Sequence, residues 1–177
     1  DALVKRARAL GIDIRVDSEA AAADPEGRLT LQTGEILEAD LIVGADGVAS
    51  KVRDSIGFKQ DRWISKDGLI RLIVPRKKKE LGHGEWDNTI DMWNFWPRVQ
   101  RILYSPCNEN ELYLGLMAPA ADPRGSSVPI DLEVWVEMFP FLEPCLVEAA
   151  KLKTARYDKY ETTKLDSWTR GKVALVG

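Results

Sequence analysis

Glu38-Ala39-Asp40-Leu41-Ile42-Val43-Gly44-Ala45-Asp46-Gly47-Val48-Ala49-Ser50-Lys51-Val52-Arg53 carries a short apolar segment straight into a glycine-rich turn and then into a helical pattern. Leu41-Ile42-Val43 is brief and β-branched, which predicts a strand buried on both faces. Gly44 and Gly47 flank an acidic residue at the carboxyl end of that strand, where open α/β sheets place their ligands. Val48 to Ile56 reads as a helix, with Val48, Val52 and Ile56 on one face and Gly57 as its stop. Spacing alone balances two readings of the turn: a nucleotide-cofactor site, or a sharp turn that binds nothing.

Composition narrows the function classes. With 177 residues, 45% of them hydrophobic, the chain has material for one or two small domains. A net charge of −3 gives no basic footprint for nucleic acid or an anionic membrane. Arg76-Lys77-Lys78-Lys79 is the exception, and is read as a solvated loop. No apolar run approaches the ~18 residues needed to span a bilayer. Cys107 and Cys145 lie far apart without CxxC spacing, which suits free thiols in a reducing, cytoplasmic compartment and argues against a disulfide framework or a zinc site. His83 is the only histidine, so a Ser-His-Asp hydrolase or a multi-histidine metal centre cannot be built from this segment, and no metal is expected.

The order of patterns suggests two domains. Asp1 to Gly11 reads as an amphipathic helix with Leu3, Ala7 and Leu10 along one stripe. Ile12 to Val16 alternates as a strand does, and Arg28 to Thr33, Gly34-Glu35 and Ile36-Leu37 read as a hairpin. Residues 1–58 thus look like the inner part of a nucleotide domain. From residue 59 the rhythm changes, with five of the six tryptophans between Trp63 and Trp135. Strands are expected at Leu69 to Val74, Thr89 to Trp96, Val99 to Ser105 and Glu111 to Ala118, making an antiparallel sheet. Helices follow at Ile130 to Met138 and Leu142 to Leu152, separated at Pro140, then a strand at Lys159 to Lys164. A final strand at Val173 to Val176, within residues 171–177, returns to the first domain.

Asp-Leu-Ile-Val-Gly-Ala-Asp-Gly, followed by Ser50 and Val52-Arg53, resembles the second fingerprint of the FAD-dependent aromatic hydroxylases, the single-component flavoprotein monooxygenases. The resemblance implies an α/β (α+β) fold: the middle of an FAD/NAD(P)-binding Rossmann-like domain, then a substrate domain with a mostly antiparallel sheet and flanking helices. It implies FAD and NAD(P)H as cofactors and O2 as co-substrate. Asp46 and Gly47 would lie beside the FAD ribityl and pyrophosphate region, and Ala20 and Ala21 would offer backbone contacts to the adenine. In the family the last strand continues into Asp-Ala-Ala-His, and a Gly-x-Gly-x-x-Gly turn opens the cofactor domain. This chain holds neither, so by itself it is expected to retain FAD poorly.

Within that family, Gly82 to Trp96 and Arg101 to Glu109 resemble the oxygenases of hydroxypyridine carboxylates. That implies a small aromatic pyridine carboxylate as substrate, oxygenated and ring-opened in vitamin B6 breakdown. Arg101 would pair with it by a forked donor geometry, and Tyr113 and Tyr160 would stand at the active site. On residue type alone, Arg101 reads more readily as an outward-facing strand residue and the tyrosines as core or edge residues; it is the resemblance that turns these readings toward the site. Met92, Trp93, Phe95 and Trp96 offer a water-excluding wall or ordinary sheet core. No strong general base is visible, which suits chemistry carried by the flavin. Partners are therefore the small substrate and O2, without nucleic acid or membrane, and a homo-oligomer is left open. Alternatives are another flavin enzyme of the same fold (phenolic-acid hydroxylase, halogenase or reductase) and a flavin-free binding module.

Overall fold

The structure, a computed structural model, describes residues 2–81 and 86–177; His83 and the Gly82–Glu85 part of the tryptophan-rich stretch lie outside the described residues. In chain order the elements are α1 (Ala2–Ala9), β1 (Ala20–Ala23), β2 (Arg28–Leu31), β3 (Ile36–Glu38), β4 (Ile42–Gly44), α2 (Lys51–Ile56), β5 (Gln60–Pro75) and β6 (Ile90–Asn94). There follow β7 (Gln100–Pro106), β8 (Glu111–Pro119), α3 (Leu132–Met138), α4 (Glu143–Ala150), β9 (Tyr157–Leu165), β10 (Thr169–Arg170) and β11 (Val173–Leu175). The chain divides into two compact units, residues 1–62 with 163–177, and Trp63–Thr162. The division falls within β5 and β9.

In the first unit β1, β2 and β3 form an antiparallel sheet, and β11 pairs with β4 in parallel, Val173 beside Ile42 and Leu175 beside Gly44. The hairpin and the returning strand therefore form as the sequence predicts. The small core gathers Ala23, Ile42, Val52, Ile56, Phe58, Val173 and Leu175. Gly44 lets α2 lie directly on β4, since a Cβ there would stand 2.8 Å from Leu175 Cδ2 and 2.9 Å from Val52 Cγ1.

Three expectations for this unit are corrected. Strand β4 is buried on one face only: Ile42 is covered, while Leu41 and Val43 are 59% and 53% exposed. Alternate residues point to opposite faces, and among the described residues only the α2 side is covered. The helix starts at Lys51, not Val48, because Ser50 takes the N-cap and leaves Val48 in the exposed turn before it. Ile12 to Val16 forms no strand, since no described strand pairs with it to satisfy a ladder. Helix α1 forms, yet none of its residues is buried.

The second unit is built on a five-stranded sheet of order β6-β7-β8-β5-β9. The register of β5, β6, β7 and β8 is antiparallel throughout. One face carries Ile70, Leu72, Ile102, Tyr104, Leu114 and Leu116, all packed in one cluster with Trp135, Phe139, Leu142 and Leu146 of the helical segment. Asp131 caps α3 by accepting from the Val134 amide, and Pro140 opens a 3-10 turn that separates α3 from α4.

The basic run is not a simple solvated loop. Arg76 is 4% exposed, donates to the Trp86 and Asn108 carbonyls at 2.8 and 3.2 Å, and pairs with the Asp87 carboxylate. Lys77 and Lys78 are ion-paired to Glu80 and Asp87. Cations gathered close to a strand end need counter-charges, and Glu80 and Asp87 supply them to Arg76, Lys77 and Lys78.

Candidate functional site

The turn after β4 organises itself around its acidic residue. Asp46 Oδ2 accepts from the Lys51 and Val52 amides at 2.8 and 3.2 Å, and Asp46 Oδ1 accepts from the Ser50 hydroxyl. The Ser50 oxygen accepts in turn from the Arg53 amide at 2.9 Å. The first three amides of α2 are thereby satisfied by two side chains from the turn. Burial pushes the Asp46 carboxyl upward, but hydrogen bonds from Ser50, the Val52 amide, its own amide and the Lys51 amide outweigh it and hold the group below the usual carboxylate range.

Arg53 and Arg62 donate to the Val48 carbonyl at 3.0 and 3.1 Å, pinning the far side of the turn. Gly47 has φ +80° and nothing within 4 Å of where a Cβ would stand. A planar or phosphorylated group can therefore approach the backbone there, which is the room a dinucleotide needs. Ala20 and Ala21 lie on β1, where one extra residue bulges the strand between the pairs Ala20–Leu31 and Ala22–Thr30. Bulges re-aim backbone groups out of a ladder, and Ala21 is exposed. Ser55 ties β1 to α2, accepting from the Ala23 amide at 2.8 Å. These features fit FAD: a bulged strand edge, an open glycine and a rigid strand-to-helix turn.

In the second unit the helices cover one face of the sheet, and the other mixes charged, phenolic and apolar side chains. Antiparallel register sets two rows across that open face: Trp93, Arg101, Met117 and Leu69, and beside them Asp91, Leu103, Gly115 and Arg71. Tyr113 stands one step further along, level with Ser105 and Ile73. Arg101 Nε and Nη2 donate to the two oxygens of Asp91 at 2.7 and 3.0 Å, and its guanidinium lies 5.0 Å from the Trp93 ring centre. Hydrogen bonding to Asp91 raises the Arg101 pKa, burial opposes it, and the Tyr160 hydroxyl adds to the rise. Asp91 is correspondingly held low by Arg101.

Arg101 and Tyr160 are thus brought together. The Tyr113 hydroxyl leans over Gly115, 3.3 Å from where a Cβ would sit. Asp46, Gly47, Ala20 and Ala21 belong to the first unit. Of the expected apolar wall, Met92 packs beneath the sheet, whereas Trp93 and Phe95 are exposed and stacked on each other at 5.7 Å, and Trp96 is exposed. Asp91 and Arg71 were not anticipated. Strand alternation places both on the same sheet face as Arg101 once the register is known, Asp91 in contact with it and Arg71 two strands away, paired with Asp158 at 3.5 Å.

Among the described residues no cluster of His, Cys, Asp or Glu could hold a metal. No helix among them is long and apolar enough to cross a membrane. Cys107 is exposed and Cys145 buried, both as free thiols.

Comparison with known proteins places this geometry. The structure of the tetrameric form of 2-methyl-3-hydroxypyridine-5-carboxylic acid oxygenase is 94% identical, with a TM-score of 0.92, over 100% of this chain and 48% of that one. A 2-heptyl-3-hydroxy-4(1H)-quinolone synthase of Mycobacteroides abscessus is 31% identical over 94% of this chain and 44% of that protein. The FAD-dependent monooxygenase OpS4 of Beauveria bassiana is 28% identical over 82% of this chain and 36% of that protein. This chain spans about half the length, or less, of the relatives it matches. The family model described as FAD binding domain matches residues 1–124, covering the capped turn, the bulged β1 and four of the five strands of the second unit's sheet, and the chain belongs to that FAD-binding family.

Proposed function

We propose that this chain is part of a flavin-dependent monooxygenase that uses NAD(P)H and O2 to oxygenate and open the ring of a hydroxypyridine carboxylate, 2-methyl-3-hydroxypyridine-5-carboxylate. The observation that carries the reading is the open sheet face, where a forked cation, Arg101, stands among Tyr113, Tyr160 and apolar side chains. The 94% identity to a 2-methyl-3-hydroxypyridine-5-carboxylic acid oxygenase supports the substrate class. The tetrameric form of that relative supports a homo-oligomer. Two free thiols support a reducing, cytoplasmic setting.

The roles follow from the groups. Gly47, Asp46, Ala20 and Ala21 hold FAD, with Asp46 acting largely through the turn it shapes. FAD, when bound, supplies the redox and oxygen chemistry. Arg101 binds the ring carboxylate, since an anion moved out of water needs a paired cation. Tyr113 and Tyr160 offer phenolic hydroxyls that donate to or accept from the ring hydroxyl and orient it. Leu103 flanks the ring and displaces water from it.

The test uses the full-length flavoprotein. Its FAD is reduced anaerobically by NAD(P)H with and without 2-methyl-3-hydroxypyridine-5-carboxylate, oxygen is admitted, and the product mass is read. Substrate-accelerated reduction and a product that gains both atoms of O2 support the reading; reduction that yields only peroxide overturns it. Arg101→Met is expected to weaken carboxylate binding at least about tenfold, ~1.4 kcal/mol. Unchanged binding would remove Arg101 from the site.

A further inference from the structure

Arg101 carries five N–H donors in a planar fork. Asp91 takes its side edge, Nε at 2.7 Å and Nη2 at 3.0 Å, one donor to each carboxylate oxygen. Trp93, directly opposite Arg101 in the β6–β7 register, covers one face of the plane with the guanidinium carbon 5.0 Å from its ring centre. Phe95 stacks behind Trp93 with the rings 10° from parallel, so the platform is itself supported. The side edge and one face are occupied, the Tyr160 hydroxyl also stands close to the guanidinium, and among the described residues no second carboxylate takes the end edge formed by Nη1 and the second proton of Nη2.

We propose that Asp91 and Trp93 are positioning residues that fix the plane of Arg101, so that a planar substrate carboxylate is received end-on in one orientation only. Neither touches the reacting atoms. Asp91 sets the rotation of the fork about its long axis, and Trp93 sets the height of its plane above the sheet. A long arginine side chain loses rotamer freedom when it binds, and a fork already held at one edge has paid most of that entropy before the substrate arrives. The arrangement also explains why Arg101 and Asp91 sit diagonally across two strands rather than opposite each other: the directly opposite position is taken by the ring.

The inference rests on the reading of Arg101 as the carboxylate partner, and its test separates the two. Full-length holoenzyme and its Asp91→Asn and Trp93→Leu variants are titrated with 2-methyl-3-hydroxypyridine-5-carboxylate and with the corresponding 5-carboxamide, following the absorbance of the oxidised flavin without turnover. Asp91→Asn keeps the shape but offers only one acceptor. It is expected to weaken carboxylate binding at least fivefold and carboxamide binding less than twofold. Trp93→Leu is expected to lower the preference for carboxylate over carboxamide two- to fivefold. An Asp91→Asn variant that binds both ligands equally more weakly, or the carboxylate as tightly as before or more tightly, overturns the proposal. Should Asp91→Asn fail to retain flavin, an unchanged preference in the half-exposed Trp93→Leu variant overturns it alone. Arg101→Met serves as reference: if it too leaves carboxylate binding unchanged, the reading of the site fails; if only Arg101→Met has an effect, the positioning roles fail.

Discussion

Asp46 shows how one residue type can be legible while its action is not. Its place after an apolar strand, between two glycines, marks a cofactor turn. The structure spends its carboxylate on the Lys51 and Val52 amides and the Ser50 hydroxyl. A charge at a helix amino terminus is stabilised by the amides it faces, so Asp46→Ala should destabilise the first unit by about 1 kcal/mol in denaturant unfolding. Because the folded carboxyl is held low, that contribution is present above the unfolded carboxylate range near 3.9 and is lost as pH falls through the lower folded value. The stability gap between wild type and Asp46→Ala should therefore close in acid, and a gap that stays constant down to acidic pH would count against the capping account. Arg101 was legible as a lone cation in a strand. Its partner Asp91, ten residues earlier, was not, because their pairing depends on a register that local sequence does not state.

At the scale of elements, the strand-to-helix turn, the hairpin, the antiparallel sheet and the Pro140 break all follow from periodicity and breakers. The misses share a cause. Ile12 to Val16 alternates as a strand, yet a ladder needs a neighbour, and none of the described strands pairs with it. Leu41 to Val43 reads as doubly buried, but burial is a property of what lies on each side. The contact between β4 and α2 carries its own prediction. A methyl at Gly44 would meet Leu175 and Val52 inside van der Waals distance from both sides. Gly44→Ala should cost about 1 to 3 kcal/mol by overpacking, read as a lower unfolding midpoint. A stability equal to wild type would mean that α2 can move off the strand freely. Gly115→Ala meets gentler neighbours at 3.3 to 3.4 Å and should alter the Tyr113 hydroxyl more than the fold.

At the scale of the molecule, the first unit carries Leu3, Leu10, Ile12, Val16, Leu41 and Val43 exposed. Exposed apolar surface of that kind seeks cover. The 177-residue chain by itself is expected to bind a hydrophobic dye strongly, to self-associate on a sizing column, and to carry well below one FAD per chain; a monomer that is dye-silent and yellow would refute this. The second unit shows a different economy. Helices cover one side of its sheet, so neighbouring residues along a strand answer to different demands: Ile102, Leu112 and Leu114 to the core, Arg101, Tyr113 and Gly115 to the open side. Heritable change can therefore revise what the open side recognises, one alternate position at a time, while the packing that keeps the sheet folded is left as it was. Relatives that share this backbone are free to diverge in the ring they accept without first having to rebuild the core beneath it.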